Sequence, residues 1–276
     1  MPENVPGCVP LDPGTPERPV LIRLDPAPEP RGLLEGRRAL VTAAAGTGIG
    51  FATAERFVRE GAVLVVSDRH ERRLAEAADR LSELGVPVHP VACDVTDVVQ
   101  VERLFDIALE ALGGLDIVVN NAGLGHSSLL SETTDEDWSR VLDVTLNGTF
   151  RCVRAALSRV SEGGSIINVG SVTGHRAERG QSAYAAAKAG VHALTRCAAV
   201  EGAERGVRVN AVAPTLAVHS FLSRVADSEH LAEMAKLQPQ GRAAEPREIA
   251  STILFLASDL SGYLTGECIS ASGQKP

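Results

Sequence analysis

From Arg37 onward, short and continuously apolar runs alternate with stretches whose apolar residues recur at helical spacing. The apolar runs at 39–42, 62–67, 86–92, 115–119, 165–169, 207–212 and 267–270 read as strands. They lack an in-out alternation, which marks strands buried on both faces. Between them, Ala54, Phe57 and Val58 outline a first helix, which Gly61 closes. Residues 71–84 read as a charged amphipathic helix. Val101, Leu104, Phe105, Ala108 and Leu112 outline another, and helices are predicted over 134–160, 183–201 and 247–257. Strict β-α alternation predicts an α/β fold, a parallel sheet with helices on both faces and right-handed crossovers. Residues 213–241 interrupt the alternation, and a connection of that length is expected to act as a lid or binding loop. Trp138 and Phe150 are expected to pack within the 134–160 helix.

Composition separates residues 1–36 from the domain at 37–276. Nine prolines between Pro2 and Pro30 preclude a regular helix there, so the segment is expected to be an arm, mobile or laid over the surface. The 276 residues suit one large domain with an ample core. The net charge of −8, with no Lys/Arg run beyond two residues, argues against a nucleic-acid partner. No apolar stretch reaches membrane-spanning length, and the N-terminus lacks the basic-then-apolar order of a secretory signal. A cytoplasmic location is expected. Cys8, Cys93, Cys152, Cys197 and Cys268 are scattered, with no Cys-x-x-Cys and no clustered His, so no metal site is expected and the cysteines read as reduced packing residues.

Candidate chemistry begins in the loop after the first strand, Thr42-Ala-Ala-Ala-Gly-Thr-Gly-Ile-Gly. Gly46, Gly48 and Gly50, between a strand and a helix, suit close approach of a pyrophosphate to a helix N-terminus. Asp68 ends the second strand. A carboxylate there would accept the ribose hydroxyls and repel a 2′-phosphate, favouring NAD over NADP. Arg69, Arg72 and Arg73 leave NADP possible, although they read as a solvated helix start. Asp94 is placed to meet the adenine edge. Asn120-Asn121-Ala122-Gly123 ends the fourth strand, where Asn side chains can tie strand ends together and Gly123 leaves room for a cofactor. Tyr184 and Lys188 are four residues apart, on one face of a helix. An ammonium beside a phenol favours the phenolate; bringing a Tyr from about 10 to near neutrality takes roughly 4 kcal/mol. Ser171, at the end of the fifth strand, could share a substrate oxygen with that phenol.

Taken together, the Gly loop, Asp94, Asn120-Asn-Ala-Gly123, Ser171, Tyr184-x-x-x-Lys188 and Arg208-Val-Asn-Ala-Val-Ala-Pro214 resemble the short-chain dehydrogenase/reductase family in order and spacing. The resemblance implies a single Rossmann-type, doubly wound domain with a seven-stranded parallel sheet, assembled into dimers or tetramers. It implies that Tyr184 is the general acid/base, that Lys188 lowers its pKa and binds the nicotinamide ribose, and that Ser171 polarises the reacting oxygen. It assigns cofactor contacts to Gly46, Thr47, Gly48, Ile49, Asp68, Arg69, Asp94, Val95, Asn121, Ala122, Gly123, Tyr184, Lys188 and Pro214.

This chain departs from the family pattern at several points. Ala43 stands where the family's first Gly is expected, with Gly46 in a position to supply the turn instead. Thr145 stands where an Asn usually orders the water of a proton relay, and is carried as the fourth catalytic residue. Thr215 replaces the Gly after Pro214, and His219 stands where a Thr is common. The Gly loop, Ser67-Asp-Arg-His-Glu-Arg-Arg-Leu74 and the Gly-Gln-Lys-Pro end are also similar to bacterial reductases of CoA thioesters of the hydroxy-methyl-oxo-indane type, formed in steroid C- and D-ring degradation. The implied substrate is then such a thioester, the alternative being a linear 3-oxoacyl thioester. Arg176, Arg179, Arg224 and Arg242 could meet CoA phosphates or serve as scattered solubilising charge. Phe221, Leu222, Met234 and Leu237 could clothe an alicyclic substrate or pack the lid down. His175 and His219 read as polar loop residues or contacts rather than a second base. A catalytically silent dinucleotide-binding protein is the competing functional class, supported only by Thr145 and the altered loop.

Overall fold

The structure is a computed structural model that describes residues 28–176, 178–217, 235–236 and 238–272. The arm before Pro28, most of the expected lid with His219, Phe221, Leu222, Arg224, Met234 and Leu237, and the final Gly-Gln-Lys-Pro lie outside the described residues.

Seven strands form one parallel sheet: β1 Arg38–Thr42, β2 Val63–Asp68, β3 Val88–Ala92, β4 Ile117–Asn120, β5 Ser165–Val169, β6 Arg208–Pro214 and β7 Cys268–Ala271. Their spatial order is β3-β2-β1-β4-β5-β6-β7, so the winding direction reverses between β1 and β4. The helices are α1 Ile49–Arg59, α2 Glu71–Ser82, α3 Val98–Leu112, α4 Asp135–Leu142, α5 Gly148–Arg159, α6 Ser182–Gly202 and α7 Pro246–Ala257.

The uninterrupted apolar strands follow from this layering. Val41 pairs with Val66 in register, and both face the core under α1, α2 and α7 with Phe57, Leu64 and Ile253. Their neighbours Leu40 and Val65 pair with each other and face the opposite core with Leu104, Phe105 and Ile166. Along β1 and β2 each alternate residue thus meets an apolar layer, whereas the edge strand β3, expected to be buried on both faces, keeps His89 and Pro90 exposed because nothing covers a sheet edge.

Three expectations are revised. The stretch 134–160 is continuously helical, but Asp143–Asn147 forms a π-helical turn that separates α4 from α5. Phe150 is exposed, with Arg154 lying over its ring at 5.1 Å, rather than packed inward. Residues 31–36, expected within the arm, are fastened to the domain. Leu34 is 1% exposed, and the buried Glu60 carboxylate accepts the Arg31 and Leu33 amides at 3.0 Å each while pairing with Arg56 at 2.6 Å.

Candidate active site

The predicted site residues converge at the carboxyl ends of the strands, beside the reversal of strand order, where open α/β sheets bind ligands. The loop after β1 is shaped from two sides. Ala43 adopts a left-handed conformation with φ 52°. Gly46 is absent from the positive-φ positions, so Ala43 itself makes the turn, and the expectation that Gly46 replaces the missing Gly is corrected. Asn121 holds this conformation: its Nδ2 donates to the Ala43 carbonyl at 3.0 Å, and its backbone N–H donates to Thr42 Oγ1 at 3.0 Å. Gly50 packs into the same knot, and a methyl there would lie 2.4 Å from the Ala43 oxygen and 2.5 Å from Asn121 Nδ2.

A nicotinamide dinucleotide fits the residues present. A methyl added at Gly46 would meet no atom within 4 Å, which leaves the loop open where a phosphate must approach. Thr47 is exposed, and Gly48 and Ile49 open α1, so backbone N–H groups face that space. Asp68 ends β2 with one oxygen accepting the Ala45 amide at 3.2 Å and the other accepting the His70 amide at 3.0 Å. It therefore orders the Gly loop, and lone pairs remain on both oxygens for a ribose. Arg69 is exposed next to it, while Arg72 pairs with Glu76 at 2.9 Å, as a solvated helix start does. Asp94 Oδ1 accepts from the Thr96 amide and hydroxyl at 2.9 and 2.8 Å, closing a turn; Val95 beside it is buried against Gly148. Pro214 ends β6 on the same rim.

The catalytic candidates come together. The Ser171 hydroxyl lies near enough to the Tyr184 phenol to draw its pKa down. Ser171 also caps the short turn Val172–Gly174, its Oγ accepting from the Thr173 amide at 3.2 Å. Lys188 is 3% exposed; its Nζ donates to the Val169 carbonyl at 2.6 Å and sits 5.6 Å from the Tyr184 ring centre. A methyl at Gly123 would lie 3.3 Å from Nζ, so Gly123 borders the same space. Asn120 donates to Asn168 at 2.8 Å, and Asn168 donates to Thr195 of α6 at 2.9 Å, locking β4, β5 and α6 together beneath the site.

Two details differ from expectation. Burial pushes the Tyr184 hydroxyl above its ordinary value, the nearby Ser171 hydroxyl pulls it down, and the Glu178 carboxylate pushes it up. The net direction is upward, not toward neutrality, because burial outweighs the pull of Ser171; the Lys188 ammonium is directed at the Val169 carbonyl and is itself drawn down to about 8 by burial. Second, the Thr145 hydroxyl is already engaged. It accepts from the Leu124 amide at 3.0 Å and donates to the Leu124 carbonyl at 3.4 Å, fastening the chain after Gly123. Its donor is thus used structurally, not held free for a water.

Arg242 is likewise committed, gripping Glu248 through two contacts of 2.7 Å rather than standing free for a phosphate. Residues that the sequence reading passed over also border the site. Glu178 is one. His192 is another, the next member of the Tyr184, Lys188 row at four-residue spacing; its Nε2 lies 3.5 Å from the Ser171 amide. That spacing was the available signal.

Known proteins match this arrangement. Residues 43–273 fit the family profile described as enoyl-(acyl carrier protein) reductase. The chain belongs to the short-chain dehydrogenase/reductase family. Among relatives, it is 56% identical over 249 residues to a Mycobacterium tuberculosis (5R,7aS)-5-hydroxy-7a-methyl-1-oxo-2,3,5,6,7,7a-hexahydro-1H-indene-carboxyl-CoA reductase, covering 89% of this chain and 95% of the relative. It is 37% identical over 242 residues to the 3-oxoacyl-(acyl-carrier-protein) reductase FabG of Thermotoga maritima, covering 87% of this chain and 98% of the relative. A solved short-chain dehydrogenase from Mycobacterium smegmatis superposes with TM-score 0.81 at 49% identity, covering 91% of this chain and 98% of that one. As a short-chain dehydrogenase/reductase the chain is an oxidoreductase, and the seven-stranded parallel sheet is the Rossmann-type fold its motifs imply. Among the described residues, no helix is long and apolar enough to cross a membrane.

Proposed function

We propose that the protein interconverts a ketone and a secondary alcohol on a ring-bearing CoA thioester of the hydroxy-methyl-oxo-indane type, in steroid-ring catabolism. The observation that carries the reaction is the buried Lys188 ammonium held 5.6 Å from the Tyr184 ring centre, with Ser171 beside the phenol. The thioester class rests on the likeness to the M. tuberculosis reductase. A bound nicotinamide dinucleotide supplies or takes the hydride. Gly46, Thr47, Gly48, Ile49, Asp68, Arg69, Asp94, Val95, Asn121, Ala122, Gly123, Lys188 and Pro214 would hold it. Tyr184 gives its phenolic proton to the developing alkoxide and takes it back in the reverse direction. Ser171 donates a second hydrogen bond to that oxygen, and both are pre-placed by their turn and helix. Lys188 stabilises the tyrosinate as it forms. Thr145 supports the relay indirectly, by holding the Leu124 backbone. Asp68 favours NAD, because a 2′-phosphate would meet its carboxylate.

Turnover of cyclic against linear 3-oxoacyl-CoA thioesters tests the substrate reading, and a higher kcat/KM for linear substrates would transfer the chain to the FabG-like alternative. Tyr184→Phe should bind NADH and lose turnover; retained turnover would overturn the assignment. Wild-type kcat/KM should favour NADH over NADPH, with Asp68→Asn narrowing the gap. We further propose a homodimer or tetramer built on α4–α6, where Phe150 and Val200 are exposed at 43% and 76%, to be read by light scattering. Its free cysteines suit a cytoplasmic setting.

A further inference from the structure

Beside the candidate active site, three side chains from distant points of the chain meet. His175 ends the turn that Ser171 caps, His192 lies in α6, and Cys268 opens β7. Their ligand-capable atoms all lie within 4.8 Å of one another. Cys268 Sγ is 3.4 Å from His175 Nε2, and the two imidazoles stack with centroids 4.3 Å apart.

We propose that His175, His192 and Cys268 form a binding site for a thiophilic divalent cation of the zinc class, and that its occupation disables Ser171. The spacing suits such an ion. Zinc bonds of about 2.3 Å to sulfur and 2.0–2.1 Å to nitrogen, at a tetrahedral angle, hold the two ligand atoms roughly 3.5 Å apart. One thiol with two imidazoles also selects zinc, cobalt or copper over magnesium or calcium. The second observation is His192 itself. It is 2% exposed, and its Nδ1 is buried with no hydrogen-bond partner. The ring is wedged: a methyl at Gly170 would lie 2.3 Å from Nε2, and one at Gly174 would lie 2.6 Å from Cε1. The exposed His175 is the member that can rotate out of the stack to bring its ring plane onto an ion shared with His192 and the half-buried Cys268.

The link to Ser171 runs through the other nitrogen of the same ring. His192 Nε2 faces the Ser171 amide and can only accept there. A cation on Nδ1 would send the ring proton to Nε2, setting donor against donor. A cation on Nε2 would remove the contact outright. Either way the backbone that aims Ser171 loses its support. This consequence rests on Ser171 acting in turnover, whereas the cation site itself does not.

Cobalt(II) added to the full-length protein tests the site by absorption. One equivalent should produce a thiolate-to-cobalt charge-transfer band in the near ultraviolet, displaced by zinc. Cys268→Ala should lose the band and weaken cobalt binding by about 100-fold or more, beyond the 10–100-fold typical of changes outside the ligand set. His175→Ala, at an exposed position, gives the same reading should the cysteine variant fold poorly. No band, or a band unchanged in Cys268→Ala, would overturn the site. Zinc should abolish wild-type turnover and leave Cys268→Ala, whose metal-free turnover matches wild type, unaffected. Equal inhibition of both would overturn the link to Ser171.

Discussion

Gly50→Ala places a methyl group where the nucleotide loop has no space for one. The added carbon would lie 2.4 Å from the Ala43 carbonyl oxygen, 3.1 Å from its carbon and 2.5 Å from Asn121 Nδ2. Neither neighbour can step aside alone, because they are hydrogen-bonded to each other at 3.0 Å. Relieving such a contact costs about 1–3 kcal/mol, and loss of the Asn121 bond adds about 1 kcal/mol. Replacing Gly near the start of α1 returns at most about 1 kcal/mol of helix propensity. The net destabilisation is about 2 kcal/mol, or about 4–8 °C in Tm for a domain of this size. Urea and thermal unfolding measure it, and NADH titration should show at least about tenfold weaker binding, equivalent to roughly 1.4 kcal/mol. A cycle with Asn121→Ala locates the cause: with the amide gone, the second change should be milder by about 1 kcal/mol. A Gly50→Ala protein as stable as wild type, with unchanged NADH affinity, would refute this account of the loop.

Ala43→Gly should act in the opposite direction. A left-handed Ala costs about 1–2 kcal/mol, offset by about 0.4–1 kcal/mol of added unfolded-chain freedom, so Tm should rise by about 1–2 °C. Glu60→Ala strands the Arg56 guanidinium and two amides; urea unfolding should report a loss of about 3–5 kcal/mol, with proteolysis starting in residues 28–36. For Lys188, the unfolded ammonium keeps its proton up to its ordinary 10.5 while the buried one releases it at about 8. Between those values the unfolded chain binds more protons, so stability rises with pH. From pH 7 to 10 wild type should gain about 2–3 kcal/mol relative to Lys188→Met, and parallel urea midpoints for the two would contradict the buried-ammonium account.

Much of this architecture was readable in advance. The strand expected at 165–169 is the observed β5 because every residue in it is buried and glycines bound it on both sides. Ser171, Tyr184 and Lys188 were legible because their spacing on strand end and helix is local. What escaped depends on contacts between distant segments. Leu34 looked like part of a Pro-rich arm, since its burial depends on a carboxylate at Glu60. The direction of the Tyr184 shift depends on desolvation and on Glu178, neither of which is encoded in Tyr-x-x-x-Lys. Cys268 read as an isolated packing residue until the fold of β7 brought it beside His175. Ala43 is the odd residue in its loop, but the amide of Asn121 that clamps its carbonyl and lets it hold a left-handed turn comes from the loop after β4.

The π-helical turn at Asp143–Asn147 also changes the phase of the rod that carries it. Each residue of an α-helix advances the side-chain direction by about 100°, and a π turn accommodates one residue more than an α turn. The single rod can therefore turn Val141 toward Ala183 and Ala187 of α6, and then turn Cys152, Val153 and Ala156 toward the separate core under α3. Deleting one residue between 143 and 147 would restore a regular helix yet swing everything beyond it out of phase. A compensating insertion elsewhere in the rod would bring the second half back into phase but leave Thr145 aimed away from Leu124. The extra residue acts as a gear between two layers, with the site mounted on its axle.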